Sequence, residues 1–105
     1  MAWTELCKVS DLKEGEGKFV DIGGRQLAVF INDGKPHVVD DYCPHAGGSL
    51  AGGFLEDGCV VCSWHYWAFD LKTGNVTPNG RAHVCVYPAR LSDDRKRVEA
   101  DLPDL

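Results

Sequence analysis

The sequence predicts a small all-β domain, an antiparallel sandwich or partly open barrel. Three observations carry that expectation. Short strand-like segments recur at regular spacing with glycine-bearing turns between them. No stretch keeps a long 3.6-residue apolar period. Glycine, at 12 of 105 residues, is more frequent than helix-rich chains tolerate. The length fits one domain, residues 1–105, with a core small enough that an internal staple would help.

Residues 3–9 mix apolar and polar side chains and read as an opening strand. Residues 10–15 form a turn or a single helical turn, with Ser10 placed to cap it. Residues 18–22 and 25–31 are strands joined by a tight turn at Gly23-Gly24. Asn32-Asp33-Gly34 turns the chain again into a strand at 36–39, completing a hairpin meander that closes at Asp40-Asp41. Residues 42–53 are Gly-rich and lack strand alternation. A short strand at 60–61 precedes an aromatic stretch at 64–70, with loops at Thr73-Gly74-Asn75 and Pro78-Asn79-Gly80. Residues 82–91 alternate around Val84, Val86 and Tyr87 and read as one strand. Ser92-Asp93-Asp94 turns into a last strand at 96–100, with 93–97 a solvated hairpin end and 101–105 a loosely held tail.

Apolar residues make up 44% and charged residues 26%, an ordinary globular balance. Eleven basic against sixteen acidic residues leave a net charge of −5. That sign disfavours a nucleic-acid partner and suits docking to a basic protein patch. The longest apolar run, residues 27–31, is too short to span a membrane, and no charged-then-apolar leader opens the chain. A soluble cytoplasmic protein without a membrane partner is expected.

Five cysteines are an odd count: Cys7, Cys43, Cys59, Cys62 and Cys85. A disulfide framework explains them poorly, and metal ligation or buried thiols explain them better. Cys43-Pro44-His45 is followed, after sixteen intervening residues, by Cys62-Ser63-Trp64-His65. Each half offers one thiolate and one imidazole. Such a set could hold tetrahedral zinc, or a two-iron, two-sulfide cluster with both cysteines on one iron and both histidines on the other. Zinc fingers pair cysteine with cysteine and histidine with histidine at close spacing, whereas each close pair here is mixed.

Cys43, His45, Cys62 and His65, with Cys-Pro-His-Ala-Gly-Gly from Cys43 and His-Tyr-Trp-Ala-Phe-Asp-Leu-Lys-Thr-Gly from His65, make the sequence resemble the Rieske [2Fe-2S] family over nearly the whole chain. It is most similar to small soluble Rieske-type ferredoxins of oxygenase systems, and also to nitrite reductase small subunits. The resemblance implies three antiparallel sheets and one [2Fe-2S] cluster per chain. The cluster would be bound in a small subdomain by loops at about 42–53 and 61–70 and covered by a loop at about 76–81 that bears Pro78. Its ligands would be Cys43, His45, Cys62 and His65. The family often has a second proline where this chain has Asn79. The extra disulfide of respiratory and photosynthetic members would fall at Gly48 and Trp64 and is absent.

The hydroxyl donors of high-potential members would fall at Trp67 and Phe69, which have none. A potential on the order of −150 mV is therefore expected, rather than one near +300 mV. Tyr66 carries a hydroxyl at the usual glycine position. With neutral imidazoles the oxidised site sums to zero and the reduced site to −1. Protonation at the outer nitrogens of His45 and His65 is then linked to electron transfer.

Cys7, Cys59 and Cys85 lie in strand-like segments and read as core thiols. His37 and His83 read as surface or hydrogen-bonded residues, and Trp3 and Phe69 as packed on the core. Trp64 and Trp67 read as lids over the cluster or as docking residues. Gly47, Gly48, Gly52 and Gly53 would serve loop dihedrals and close approach of amides to sulfur.

The resemblance implies a one-electron carrier rather than an enzyme in its own right. Its expected partners are a flavin-containing reductase and the terminal component of an aromatic-ring dioxygenase or related oxygenase. The alternative is the small subunit of an NAD(P)H-dependent nitrite reductase, with that enzyme's large subunit as partner. Many such small subunits have lost ligands, and all four are kept here. A zinc-structural binding module is the third reading.

Overall fold

The computed structural model describes residues 2–41, 49–56, 58–61, 68–71, 73–74, 76–77 and 84–102. These residues form eleven strands in three antiparallel sheets, with two single 3-10 turns and no α-helix among them. The first sheet orders β1 (Ala2–Lys8), β11 (Arg97–Leu102) and β10 (Ala89–Leu91). The second orders β2 (Gly17–Ile22), β3 (Arg25–Asn32), β4 (Lys35–Asp40) and β9 (Val86–Tyr87). The third orders β5 (Phe54–Glu56), β6 (Cys59–Val61), β7 (Ala68–Asp70) and β8 (Val76–Thr77).

The apolar run at 27–31 has a structural cause. The second sheet is covered on both faces, so β3 cannot alternate between apolar and polar. Leu27 and Val29 face a core shared with the first sheet, alongside Val38, Val98, Ala100 and Leu102. Ala28 and Phe30 face a second core shared with the third sheet, alongside Val39, Leu50, Val60, Phe69 and Val84. The hairpin turns of the meander sit where predicted. At 33–34 both residues take positive φ, the hand that matches strand twist, and Glu14 braces them by accepting from the Asp33 amide at 2.9 Å.

Several expectations need correction. Of the stretch 82–91, the described residues 84–91 hold two strands rather than one, because the chain changes sheets at Pro88. Tyr87 pairs with Val38 in the second sheet, whereas Ala89 pairs with Ala100 in the first. Proline has no N–H to continue a ladder, and its carbonyl accepts from the Asp101 amide. Asp101 and Leu102 are not a loose tail: they extend β11, and Leu102 pairs with Ala2 and is buried. Ser10 caps nothing, since the 3-10 turn Val9–Asp11 starts after Lys8 without a side-chain cap. Strands β5 and β8 were not expected. Trp3 is 43% exposed, with the Arg90 guanidinium 4.0 Å above its ring. Cys85 is exposed and lies outside any strand, while Cys7 and Cys59 are half-buried. Phe69 is wholly buried, as expected.

Among the described residues no helix is long and apolar enough to cross a membrane.

Candidate metal centre

Register in the third sheet decides where the segments that carry the Cys/His pairs leave and rejoin the sheet. Phe54 pairs with Val61, Val61 with Ala68, and Ala68 with Thr77. These four residues form one row at one end of the sheet. The chain enters β5 at this row after segment 42–48 and the turn Leu50–Gly52. It leaves after Val61 and returns at Ala68, which bracket segment 62–67. It leaves again after Thr77 into segment 78–83. Segments 42–48 and 62–67 carry the two Cys/His pairs, and 78–83 carries Pro78. Cys43, His45, Cys62 and His65, together with Gly47, Gly48, Trp64, Tyr66, Trp67, Pro78, Asn79 and His83, lie outside the described residues. The described residues that flank these segments, Val61, Ala68, Thr77 and, through the turn Leu50–Gly52, Phe54, lie at one end of the third sheet.

The flanks of segment 42–48 are tied by Asp41, which is buried. Its Oδ1 accepts from the Ser49 hydroxyl and from the Ala51 amide, both at 2.8 Å. Its carbonyl accepts from the Leu50 amide at 2.7 Å, and its own amide donates to the Gln26 carbonyl. Each hydrogen bond to a buried carboxylate is worth about 1.5–3 kcal/mol, enough to fix the ends of a short segment. Leu50, wholly buried, sinks the returning chain into the second core. Gly53 follows. A Cβ there would lie far inside van der Waals contact with the Val61 carbonyl oxygen, and 3.2 Å from the Leu50 carbonyl oxygen. Its glycine is needed because β6 backbone passes so close, not for a dihedral reason: its φ is −86°. Gly52 has open space around it, so the expectation that it too is required is not met.

One residue before Asp41, the Asp40 carboxylate accepts from the Tyr87 hydroxyl at 2.6 Å, and that hydroxyl accepts from Arg25 Nη1 at 2.8 Å. Burial, reinforced by the hydrogen bond to Asp40, pushes the Tyr87 phenol up to about 12. An unfolded tyrosine ionises near 10, so the unfolded chain releases this proton first. The folded-state advantage is complete below about pH 10 and is lost as pH rises to about 12. Urea unfolding of the native protein and of Tyr87→Phe should show a stability difference that is flat to pH 10 and shrinks above it. A difference that stays constant through pH 11.5 would refute the assignment.

The donor set fits a Rieske cluster in chemistry, with one thiolate and one imidazole per segment. The other cysteines sit elsewhere. Cys59, only three residues from Cys62, pairs with Glu56 and Asp70 in the row at the opposite end of the sheet. Cys7 lies in the first sheet, where burial pushes its thiol up, and Cys85 lies next to Asp40. No cluster of three or more metal-binding side chains occurs among the described residues. Sequence reading missed Asp41, Ser49 and the Arg25–Tyr87–Asp40 chain. Its one available signal was an acidic pair closing an apolar strand directly before the first motif.

Residues 2–88 match the family described as Rieske [2Fe-2S] domain. The ferredoxin component of the alkene monooxygenase system of Xanthobacter autotrophicus is 34% identical over 98 residues, 91% of this chain and 78% of that protein. Cholesterol 7-desaturase nvd of Hemicentrotus pulcherrimus is 38% identical over 74 residues, but the chain spans only 16% of its length. A protein assigned as the small subunit of an NADH-dependent nitrite reductase from Mycobacterium tuberculosis superposes with a TM-score of 0.90 at 29% identity, over 99% of this chain and 97% of that one. A chain from the complex of reduced oxygenase and oxidised ferredoxin in carbazole 1,9a-dioxygenase superposes at 0.81 with 25% identity, covering 98% and 96%.

Proposed function

The chain belongs to the Rieske [2Fe-2S] domain family, and from that premise we propose that it is a one-electron carrier serving an oxygenase. The family's cofactor is a [2Fe-2S] cluster, which when bound supplies one-electron redox chemistry. Cys43 and Cys62 would ligate one iron, and His45 and His65 the other. Asp41 holds the ends of the first ligand segment, and the β6–β7 pairing holds those of the second. The chain acts as an electron-transfer component, not as an enzyme on its own. Its electron donor would be a flavin-containing reductase, and its acceptor a terminal oxygenase of the aromatic-ring dioxygenase type. The observation that carries the reading is similarity across 91% of the chain to the ferredoxin component of a monooxygenase system.

The test is a redox titration followed by electron paramagnetic resonance of the reduced protein. A mixed nitrogen and sulfur signature is expected, with one cluster per chain and a midpoint on the order of −150 mV. Trp67 and Phe69 offer no hydroxyl to raise that potential, and Phe69 is committed to the core. One zinc per chain, or an all-thiolate signature, would overturn the proposal.

The second reading, a nitrite reductase small subunit, is favoured by the superposition at 0.90 over nearly the whole of both chains. Co-purification with a siroheme-containing large subunit, without electron transfer to any oxygenase, would select it.

A further inference from the structure

The loop between β10 and β11 is a tight hairpin turn with Arg95 at its left-handed position, as Asp33 is in the turn between β3 and β4. Arg95 has φ of 59°, a left-handed conformation that non-glycine residues seldom adopt. The turn is locked around it. Its amide donates to the Ser92 carbonyl at 2.8 Å, Ser92 Oγ donates to Asp94 at 2.6 Å, and Asp94 accepts from the Lys96 amide at 3.0 Å.

A cavity of about 560 Å³ opens beside it, lined by Lys8, Val9, Ser10, Arg95, Lys96 and Arg97. That volume lies within the range of small-molecule sites. Four of the six lining residues are cationic, in a chain whose net charge is −5. Glu5 and Asp94 approach Arg97, at 3.2 and 3.8 Å. Asp94 lies in the field of Lys96 without an ion pair to it. Among the described residues the side chains of Lys8 and Arg95 have no ion pair either. Lys8, Arg95 and Lys96, three lining cations without an ion pair among the described residues, match an anion of more than one charge. A guanidinium fork and a serine hydroxyl suit tetrahedral oxygens. Half-buried Val9, packed on the core, supplies an apolar wall.

We propose that this cavity binds a phosphate-bearing small molecule, its phosphates on Lys8, Arg95 and Lys96 and its less polar part against Val9. The site is built from the first sheet and its connections, with no lining residue from the sheet that carries the ligand segments. Its failure would leave the electron-carrier reading untouched.

The experiment is calorimetric titration of the cluster-loaded protein with pyrophosphate and with adenosine diphosphate, at constant ionic strength. Saturable binding at one site per chain is expected, tighter for the nucleotide. Arg95→Gly is the informative variant, because glycine suits the left-handed backbone and the fold should be kept or stabilised. Its affinity should fall about tenfold, and that of Lys96→Gln by a similar factor. Absence of saturable binding would overturn the proposal, as would binding that both variants leave unchanged. So would attachment to phosphatidylcholine vesicles containing phosphatidylserine without any response to pyrophosphate, which would make the patch a lipid-binding surface.

Discussion

Cys62→Ser is expected to lose its [2Fe-2S] cluster, with iron and acid-labile sulfide falling to near zero, while Cys59→Ser keeps a full complement. The two cysteines are three residues apart, so a generic effect of removing a thiol would strike both. Strand β6 separates them. Cys59 pairs with Glu56 and Asp70 at one end of the third sheet, and Val61 at the other end hands the chain to Cys62. In the proposed ligand set Cys62 binds iron as its thiolate, and a serine hydroxyl ionises far too reluctantly at neutral pH to replace it well. It would also remove one of the two negative charges that bring the oxidised site to neutrality. Iron and sulfide analysis of the two variants, expressed and purified side by side, reads the result directly. A cluster that survives Cys62→Ser, or vanishes with Cys59→Ser, would remove Cys62 from the ligand set.

Much of the fold was legible because most of its rules are local. The meander from Gly17 to Asp40 announces itself through turn residues whose positive φ the sequence can only satisfy in a few ways. What was misread depended on partners distant in sequence. Alternation across 82–91 is real, yet it cannot reveal that Pro88 moves the chain from β4's sheet to β11's. The tail looked loose because Leu102 meets Ala2, a hundred residues away in the chain. Strands β5 and β8, with three and two residues, are too short to show a period at all. Trp3 looked like core because tryptophan is usually buried. Its β1 position instead turns it outward under Arg90, which Glu99 holds at 2.8 Å.

The proposed donor set rests on a different kind of signal. Cysteine and histidine carry chemistry in their identity, and their spacing excludes most alternatives before any geometry is known. The supports were not. Asp41 reads as a turn acid until its carboxylate is seen holding Ser49 and Ala51 in the interior. Tyr87 reads as one more apolar strand residue until its hydroxyl is found between Arg25 and Asp40. Supports of this kind act across eight to sixty-two residues of chain, where single-sequence periodicity has no reach.

Gly53→Ala should be among the most destabilising substitutions to alanine in the chain, at about 3 kcal/mol or more. The added methyl would be driven into the Val61 carbonyl oxygen, with the Val61 carbonyl carbon at 3.1 Å and the Leu50 oxygen at 3.2 Å. All three are backbone atoms, so no rotamer change can relieve the overlap. Either β5 must pull away from β6, or the turn at Leu50–Gly52 must lift out of the core. Both movements disturb the row Phe54–Val61–Ala68–Thr77, which flanks the segments that carry the Cys/His pairs. Cluster content should therefore fall together with stability. Gly52→Ala is the control. It meets nothing within 4 Å, and restricting the unfolded chain makes it neutral or stabilising by about 0.4–1 kcal/mol. Urea unfolding midpoints and iron content of the two variants decide the matter. If alanine is tolerated equally at both positions, the close passage of β6 does not constrain the chain's return from segment 42–48.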